Sequence, residues 1–277
     1  MSRAVIDEEL RRRRDHFEIE RELADRLRDA SKERRRTLYA EVYEELFRRV
    51  EIPGNVEAQR AQVELLAALV APFVDRGTRF LEIGAGACDL SLALARDLER
   101  VWAVDALDPR IDPATAPRGF AFVPADRLSE VVPRGQVDVA LSCHFVEHLH
   151  PDDLADHLDQ MLDVLAEGGR YIVVTPNRIY GPHDISRGFA FRAEGLHLRE
   201  YTHFDLARRV RRTGFSEVRV IGRIGEAPRG RGLLLSIGLV ERVLDALPGR
   251  LRLRLTDRAP RKPPFRPLEQ IKLVATK

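Results

Sequence analysis

The 277-residue chain carries 46 basic and 44 acidic side chains, for a net charge of +2, with 44% hydrophobic and 32% charged residues. That balance fits a soluble globular protein with a full-sized core and excludes a chain-wide attraction for nucleic acid. Two cysteines, Cys88 and Cys143, are too few for a disulfide framework. No apolar run is long enough to span a bilayer or reads as a signal segment, so the cytoplasm is the expected compartment.

Residues 1–75 read as an N-terminal helical cap. Leu10, Phe17, Leu23 and Leu27 recur at near-helical spacing within a highly charged stretch. Leu38, Val42, Leu46 and Phe47 mark a second helix; after the break "IPGN", Leu65, Leu66, Leu69 and Val70 mark a third. The basic run Arg11 to Arg14 is flanked by Asp7, Glu8, Glu9 and Asp15, which suits a solvated helix face.

Over residues 76–223 short apolar runs alternate with helical stretches. "RFLEI", "RVWAVD" (100–105), "FAFVPAD" (120–126), "VDVALS" (137–142) and "RYIVVTP" (170–176) read as buried parallel strands. Leu154, Leu158, Met161, Leu162 and Leu165 mark a helix expected to end at Gly168-Gly169. Thr202 and Asp205 resemble a capping box for a helix that ends at Gly214. A sixth strand follows at 216–222 and a seventh, "IKLVATK", in 269–277. The class is α/β, a doubly wound seven-stranded Rossmann-like sheet with ligands at the carboxyl ends of its strands.

Residues 224–268 form an insertion before the last strand. It holds a helical stretch over 232–247, then "RLRLRL" and a proline-rich basic segment. Its apolar and basic character across 232–266 suits contact with a membrane surface or a lipid-linked acceptor; packing on the sheet edge or at a dimer interface is the plainer alternative.

Chemistry concentrates first in "FLEIGAGACDLSLALA". Gly84 and Gly86 let the backbone turn tightly and approach a ligand. Glu82 would repel a pyrophosphate but suits a ligand carrying an ammonium group. The dinucleotide fingerprint would need glycine at position 89, where Asp89 stands. Asp105 ends the second strand nineteen residues after Gly86, where a carboxylate accepts hydrogen bonds from ribose hydroxyls. The ligand implied is an adenosine with an amino-acid end.

Together "LEIGAGACDLS", "VWAVDALDP", "VDVALSCHFVEHL", "LAEGGRYIVVTPN" and "HLREYTHFDLARRVRRTGFSEVRV" resemble the class I S-adenosylmethionine-dependent methyltransferases, over about residues 78 to 222. The resemblance implies S-adenosylmethionine as cofactor and a last strand antiparallel to the rest. It makes Gly84, Ala85 and Gly86 the methionine-side loop, with Glu82 as acidic companion and Asp105, beside Ala106, as the ribose ligand. Asp126 and Arg127 would lie near the adenine, and Ser142 and Cys143 would close the site from the fourth strand. Cys88 stands where the family often has glycine.

Methyl transfer is an in-line displacement, and a hydroxyl acceptor needs a base. In "SCHFVEHLHPDD" (142–153), a helix beginning near His144 would put His144, Glu147 and His148 on one face. That face can hold a divalent metal, as in the similar ubiquinone-pathway O-methyltransferases, which carry acid, acid and histidine at these places. The RNA-terminal 2′-O-methyltransferases have a related pattern. The preferred alternative is a metal-free Glu-His pair, with His148 under the cofactor loop or facing the acceptor. His150 reads as solvated, and Asp152 and Asp153 as a helix N-terminus.

The long loop 177–202 offers His183, Asp184, Arg187, His197, Glu200 and Tyr201 beside Phe189 and Phe191. His183 with Asp184 can act as base and orienting acid; His183 or His197 is a candidate catalytic group, and Asp184 and Tyr201 are candidate acceptor contacts. From the cap, Tyr39 and Tyr43 stand one helical turn apart and can close over the acceptor. The expected reaction is O-methylation of a small polar acceptor, a sugar, glycoside or secondary metabolite, by a monomer or homodimer. Rival readings are N- or C-methylation, nucleic-acid methylation through the arginine-rich segments, and a non-catalytic cofactor-binding module.

Overall fold

A seven-stranded sheet organises the computed structural model, which describes residues 3–51, 54–258 and 268–277. The strands are β1 (Arg79–Ile83), β2 (Arg100–Asp105), β3 (Phe120–Pro124), β4 (Val137–Cys143), β5 (Leu165–Pro176), β6 (Glu217–Val220) and β7 (Gln270–Thr276). Their order is β3-β2-β1-β4-β5-β7-β6. Neighbours from β3 to β5 pair parallel, and β7 runs antiparallel between β5 and β6. The chain order reverses between β1 and β4, so a crevice opens at their carboxyl ends.

The central strands are apolar on both faces because helices cover both, whereas edge strand β6 alternates buried Val218 and Val220 with exposed Glu217 and Arg219. On one side, α6 (Asp153–Val164) and α7 (His203–Thr213) bury Leu154, Leu158, Met161 and Leu206 against Leu81, Ala140 and Tyr171. On the other, α3 (Val56–Val70) packs Leu66, Leu69 and Val70 with Phe80, Leu141 and Ile172. So α3 joins the sheet core, while α1 (Arg3–Asp29) and α2 (Lys32–Arg49) pair around Leu23, Leu27, Leu38, Val42 and Leu46. Side chains cap three helices: Ser31 accepts from Arg34 N, Asn55 from Ala58 N and Thr202 from Asp205 N. Each such cap contributes about 1 kcal/mol.

The α6 helix stops at Val164, short of the expected glycines, and the chain enters β5 at once. Gly168, with φ 74°, and Gly169 lie inside that strand. A Cβ on Gly169 would come within 3.0 Å of Val137 O and closer still to Ala166 O. Gly169 therefore serves close strand packing and Gly168 a left-handed turn of the backbone in open space, and neither caps the helix.

The α1–α2 pair is latched to the sheet domain. Arg35 donates to both Asp153 oxygens at 2.7 Å and to Ala30 O at 2.6 Å. Tyr39 adds a bond to Asp153 at 2.9 Å and accepts from His150 N at 2.8 Å. Tyr39 is thus a joint between cap and core, not the acceptor-closing group expected from its spacing with Tyr43. Removing either partner of this part-buried ion pair would strand the other charge and weaken the joint between cap and core.

The insertion folds as α8 (Arg231–Asp245) and α9 (Gly249–Arg258), so "RLRLRL" is helical. Glu241 of α8 anchors it, accepting from His203 Nδ1 at 2.8 Å, Asn177 Nδ2 at 2.9 Å and His203 N at 3.1 Å. Leu235, Leu239 and Val243 stay exposed on α8. Among the described residues no helix is long and apolar enough to cross a membrane. The expected basic surface beyond residue 258 lies outside the described residues up to 267.

Candidate active site

The crevice is floored by the turn after β1. Gly84 N and Ala85 N donate to Val104 O at 2.8 and 3.0 Å, which folds the turn back over β2. Gly84 has φ 73°, and a Cβ there would meet Phe145 Cδ2 at 2.9 Å. Gly86 has φ 52° but faces open space, and its N–H donates to Asp105 Oδ2 at 2.8 Å. Leu107 N donates to the other Asp105 oxygen at 3.1 Å, so the β2 acid is fixed by both turns. Cys88 also has a left-handed backbone, φ 62°, a conformation that glycine adopts with less strain. Burial pushes its thiol up to about 12, which removes it as a nucleophile.

Glu82 is 7% exposed and accepts from Ser91 Oγ at 2.5 Å. Burial raises its carboxyl to about 7, against the lowering pull of Ser91. It opens onto a cavity of about 900 Å³ together with Gly84, Ala85, Cys143 and His144. Phe47, Asn55, Gln59 and Gln62 form the opposite wall, with Gln62 Nε2 3.5 Å from Cys143 Sγ. Of the β4 pair only Cys143 lines this space; Ser142 is buried against Tyr171 Oη at 2.7 Å. Asp126 and Arg127 are exposed in the turn after β3, where Arg127 pairs with Glu130.

Residues 144–150 are turns, and no helix starts there. His144 has φ 51° and its N–H is held by Val174 O at 2.9 Å; α6 begins only after Pro151, which disfavours helix at the residue before it. The three side chains therefore do not share a helical face. His144 turns to the cavity, with Nδ1 3.2 Å from Glu147 Oε1. Glu147 is fully buried and also accepts from Thr175 Oγ1 at 2.8 Å. His148 turns away from the cavity wall and places Nδ1 3.0 Å from Leu196 O.

His197 arrives from the long loop to complete the group. Its ring stands edge-on to His148, centroids 4.8 Å apart, and its Nδ1 is 2.8 Å from Glu200 Oε1. Burial would raise Glu147, but the hydrogen bond to His144 and the neighbouring imidazoles hold its carboxyl at about 2. Burial takes His148 down to about 4, so it is neutral. Burial also opposes a charge on His197, yet its bond to Glu200 and the nearby Glu147 leave it raised overall.

Two expected acceptor contacts do not hold. Asp184 does not orient His183: it accepts from Ser186 N at 3.0 Å and Gly195 N at 2.9 Å, closing the loop on itself. His183 instead places Nε2 3.0 Å from Asn177 O, while its backbone N–H donates to Glu200 at 2.7 Å. Tyr201 is wholly buried in the main core, between the Arg199 and Arg209 guanidiniums at 5.5 and 5.8 Å from its ring. Tyr43 meets His148 edge-on at 6.1 Å, and burial raises its hydroxyl.

A family model described as a methyltransferase domain matches residues 20–220 of the sequence. The chain belongs to that family. It is an S-adenosylmethionine-dependent methyltransferase with the class I fold. Among solved structures, an S-adenosylmethionine-dependent methyltransferase from Archaeoglobus fulgidus is 17% identical at a TM-score of 0.51, with 86% of this chain and 100% of that one covered. Phosphoethanolamine N-methyltransferase 2 of Haemonchus contortus, solved with phosphomonomethylethanolamine and S-adenosylhomocysteine, is 16% identical at a TM-score of 0.51, covering 77% of this chain and 52% of that one. A search of curated proteins finds no match.

The cavity of this methyltransferase uses residues that motif reading passed over. Asn55, Gln59 and Gln62 repeat at helical spacing and give α3 a polar stripe toward the cavity. An uncharged stripe on an otherwise core-packed helix was the available signal. Thr175, which fixes Glu147, sat within an apolar strand pattern and gave no such signal.

Proposed function

We propose that this methyltransferase methylates a hydroxyl of a small polar acceptor, such as a sugar, glycoside or secondary metabolite, with His144 as general base. One observation carries the reading: His144 lines the cavity beside Gly84 with its Nδ1 held by the buried, ionised Glu147. A carboxylate in that place keeps the proton on Nδ1 and leaves Nε2 as the basic nitrogen. The Gln270 amide, 3.5 Å from Nε2, is a donor consistent with that tautomer.

The chain's residues suit the cofactor. Open space above Gly86 admits a ligand where a side chain would stand, and the two bonds to Asp105 hold its carboxylate at the loop with lone pairs to spare for ribose hydroxyls. Glu82 is the natural partner for an ammonium group. S-adenosylmethionine supplies, when bound, a sulfonium methyl open to in-line attack. His144 Nε2 then takes the acceptor's proton, Thr175 and Glu147 keep the imidazole oriented, and Phe47 with Gln62 shape the acceptor side. A cavity of this size, about 900 Å³, favours a small acceptor over a macromolecule.

The test is methyl transfer from S-adenosylmethionine to a panel of polyols, glycosides, phenols, amines and activated carbons, read by mass and fragmentation. Methyl groups on oxygen are expected; products methylated solely on nitrogen or carbon would overturn the O-methyl reading.

Glu82 makes cofactor binding pH-dependent. Its ligand-free carboxyl titrates at about 7, because burial favours the protonated form, whereas an ammonium partner needs the ionised form. Binding must therefore expel a proton at acid pH. Affinity for S-adenosylhomocysteine is expected to rise by roughly tenfold from about pH 6 to about pH 8 and then level off. Calorimetry in buffers of different ionisation enthalpy measures both the slope and the released proton. Glu82→Gln should flatten the profile; an unchanged slope in that variant would assign the proton elsewhere.

A further inference from the structure

The insertion before β7 leaves an apolar ridge on the outside of the molecule. Leu235, Leu239 and Val243 follow one another every four residues of α8 and are 57%, 68% and 61% exposed, with exposed Val240 beside them. On α9, Leu251 and Leu255 repeat that spacing and are also exposed. The opposite side of α8 already has its partners. Leu234 and Ile237 are buried in the main core, and Glu241 accepts from Asn177 and His203. Single exposed leucines are ordinary on a protein surface, but a row of them along one helix face marks a contact.

Charge narrows what can cover the ridge. Residues 231–267 contain nine basic and three acidic residues, whereas the whole chain carries only +2, so the rest of it is net acidic. The cations stand at the margins of the apolar rows. Arg231 lies one turn before Leu235, Arg242 three residues after Leu239, and Arg250 and Arg254 immediately before Leu251 and Leu255. All four are exposed, and none has an ion-pair partner among the described residues. Arg242 and Arg250 lie over the rings of Phe204 and Phe191, at 5.6 and 6.0 Å. Two of the three acids are engaged within the fold: Glu241 is buried, and Asp245 pairs with Arg178 and Arg252.

A helix that lies in the headgroup region of a bilayer presents this pattern, with apolar side chains turned into the lipid and arginines set against its phosphates. A second copy of the chain is the poorer fit, because two such faces would bring arginine against arginine. We infer that α8 and α9 form a peripheral docking surface for an anionic membrane. The bilayer is not spanned, since the 15 residues of α8 are too few to cross it. Through Arg252, which donates to Phe191 O, α9 meets loop 177–202, so a docked membrane would lie beside the segment that carries His197. Docking of this kind is independent of which atom is methylated; it sets where the enzyme works.

The test uses the full-length chain in co-sedimentation with vesicles of phosphatidylcholine alone or with about 30% phosphatidylglycerol. Binding to the anionic vesicles is expected to be at least about tenfold tighter than to the neutral ones, and to weaken as salt rises. Leu239→Ser combined with Val243→Ser should weaken it by at least about tenfold, because the apolar contact is lost. Arg250→Ser combined with Arg254→Ser should weaken it at low salt and leave a smaller salt dependence. Leu10→Ser, which removes a comparably exposed leucine from α1, should change it by less than about twofold. These side chains are all exposed, so melting temperature and S-adenosylhomocysteine affinity should match wild type; if the α8 double variant misfolds, Leu239→Ser alone carries that arm. Chain left in the supernatant with anionic vesicles, equal binding to both vesicle types, or binding that survives the α8 variant overturns the surface. So does a wild-type dimer in sedimentation velocity that the α8 variant converts to monomer, which would assign the ridge to a second copy. Methyl transfer to a water-soluble acceptor is read separately, and its persistence in the α8 variant keeps the methyltransferase reading whatever the vesicles show.

Discussion

Replacing His144 with asparagine is expected to lower kcat by about 10²- to 10⁴-fold, the usual contribution of a positioned general base. S-adenosylhomocysteine affinity should change by less than about threefold, because the His144 ring bonds to Glu147 and Gln270 and makes no hydrogen bond to the glycine turn or Asp105. Asparagine is the proper substitute here, since the residue has φ 51° and asparagine tolerates that backbone better than alanine. The loss should shrink for acceptors whose hydroxyl is intrinsically acidic, because those need less help in shedding a proton. A kcat within about fivefold of wild type on an alcohol acceptor would remove His144 from the chemistry. Glu147→Gln should mimic the defect in part: the imidazole stays, but the charge that favours its protonated form is gone.

Gly84→Ala is the second large effect, and it separates fold from ligand. The new Cβ would lie 2.9 Å from Phe145 Cδ2 at a left-handed φ of 73°. Strain of about 1–2 kcal/mol per non-glycine residue in that region adds to the clash. The turn must shift off Val104 O, taking Asp105 and the Gly86 N–H with it. Affinity for S-adenosylhomocysteine should fall by at least about thirtyfold, and the melting temperature by several degrees. Gly86→Ala supplies the contrast: its Cβ meets nothing within 4 Å, so packing is spared, though the left-handed backbone is equally strained. Comparable affinity loss with a smaller fall in melting temperature is expected there. Calorimetry and thermal melts on the two variants check the ordering; equal melting temperatures would mean that Phe145 yields without cost.

The sheet was legible because buried parallel strands read as unbroken apolar runs, and every proposed strand has its counterpart. Helix starts at Thr202 and Asn55 follow from local side-chain bonds, which need no tertiary knowledge. The glycine turn and Asp105 were legible for the same reason, as a strand end facing a strand end. What stayed hidden depends on contacts across distance. His197 meets His148 only after loop 177–202 has closed, so no spacing reveals the pair. His144 to His148 looked helical because histidine and glutamate fall at matching intervals, but Val174 O captures the His144 N–H first. Asp184 beside His183 suggested a dyad, yet the loop's own N–H groups claim the carboxylate.

Loop 177–202 owes its shape to parts of the chain that lie far apart in sequence. Phe189 stacks on Phe17 at 4.9 Å, Arg28 donates to Glu194 O and Gly195 O, and Glu20 accepts from Leu196 N, all from α1. From the other end, Arg252 of α9 donates to Phe191 O at 3.0 Å. The loop that brings His197 to the site is therefore not a module that can be exchanged alone. A chimera that swaps this loop between two methyltransferases would need the first helix and the insertion as well, and acceptor range should travel with those three segments together while the sheet and its glycine turn stay common stock.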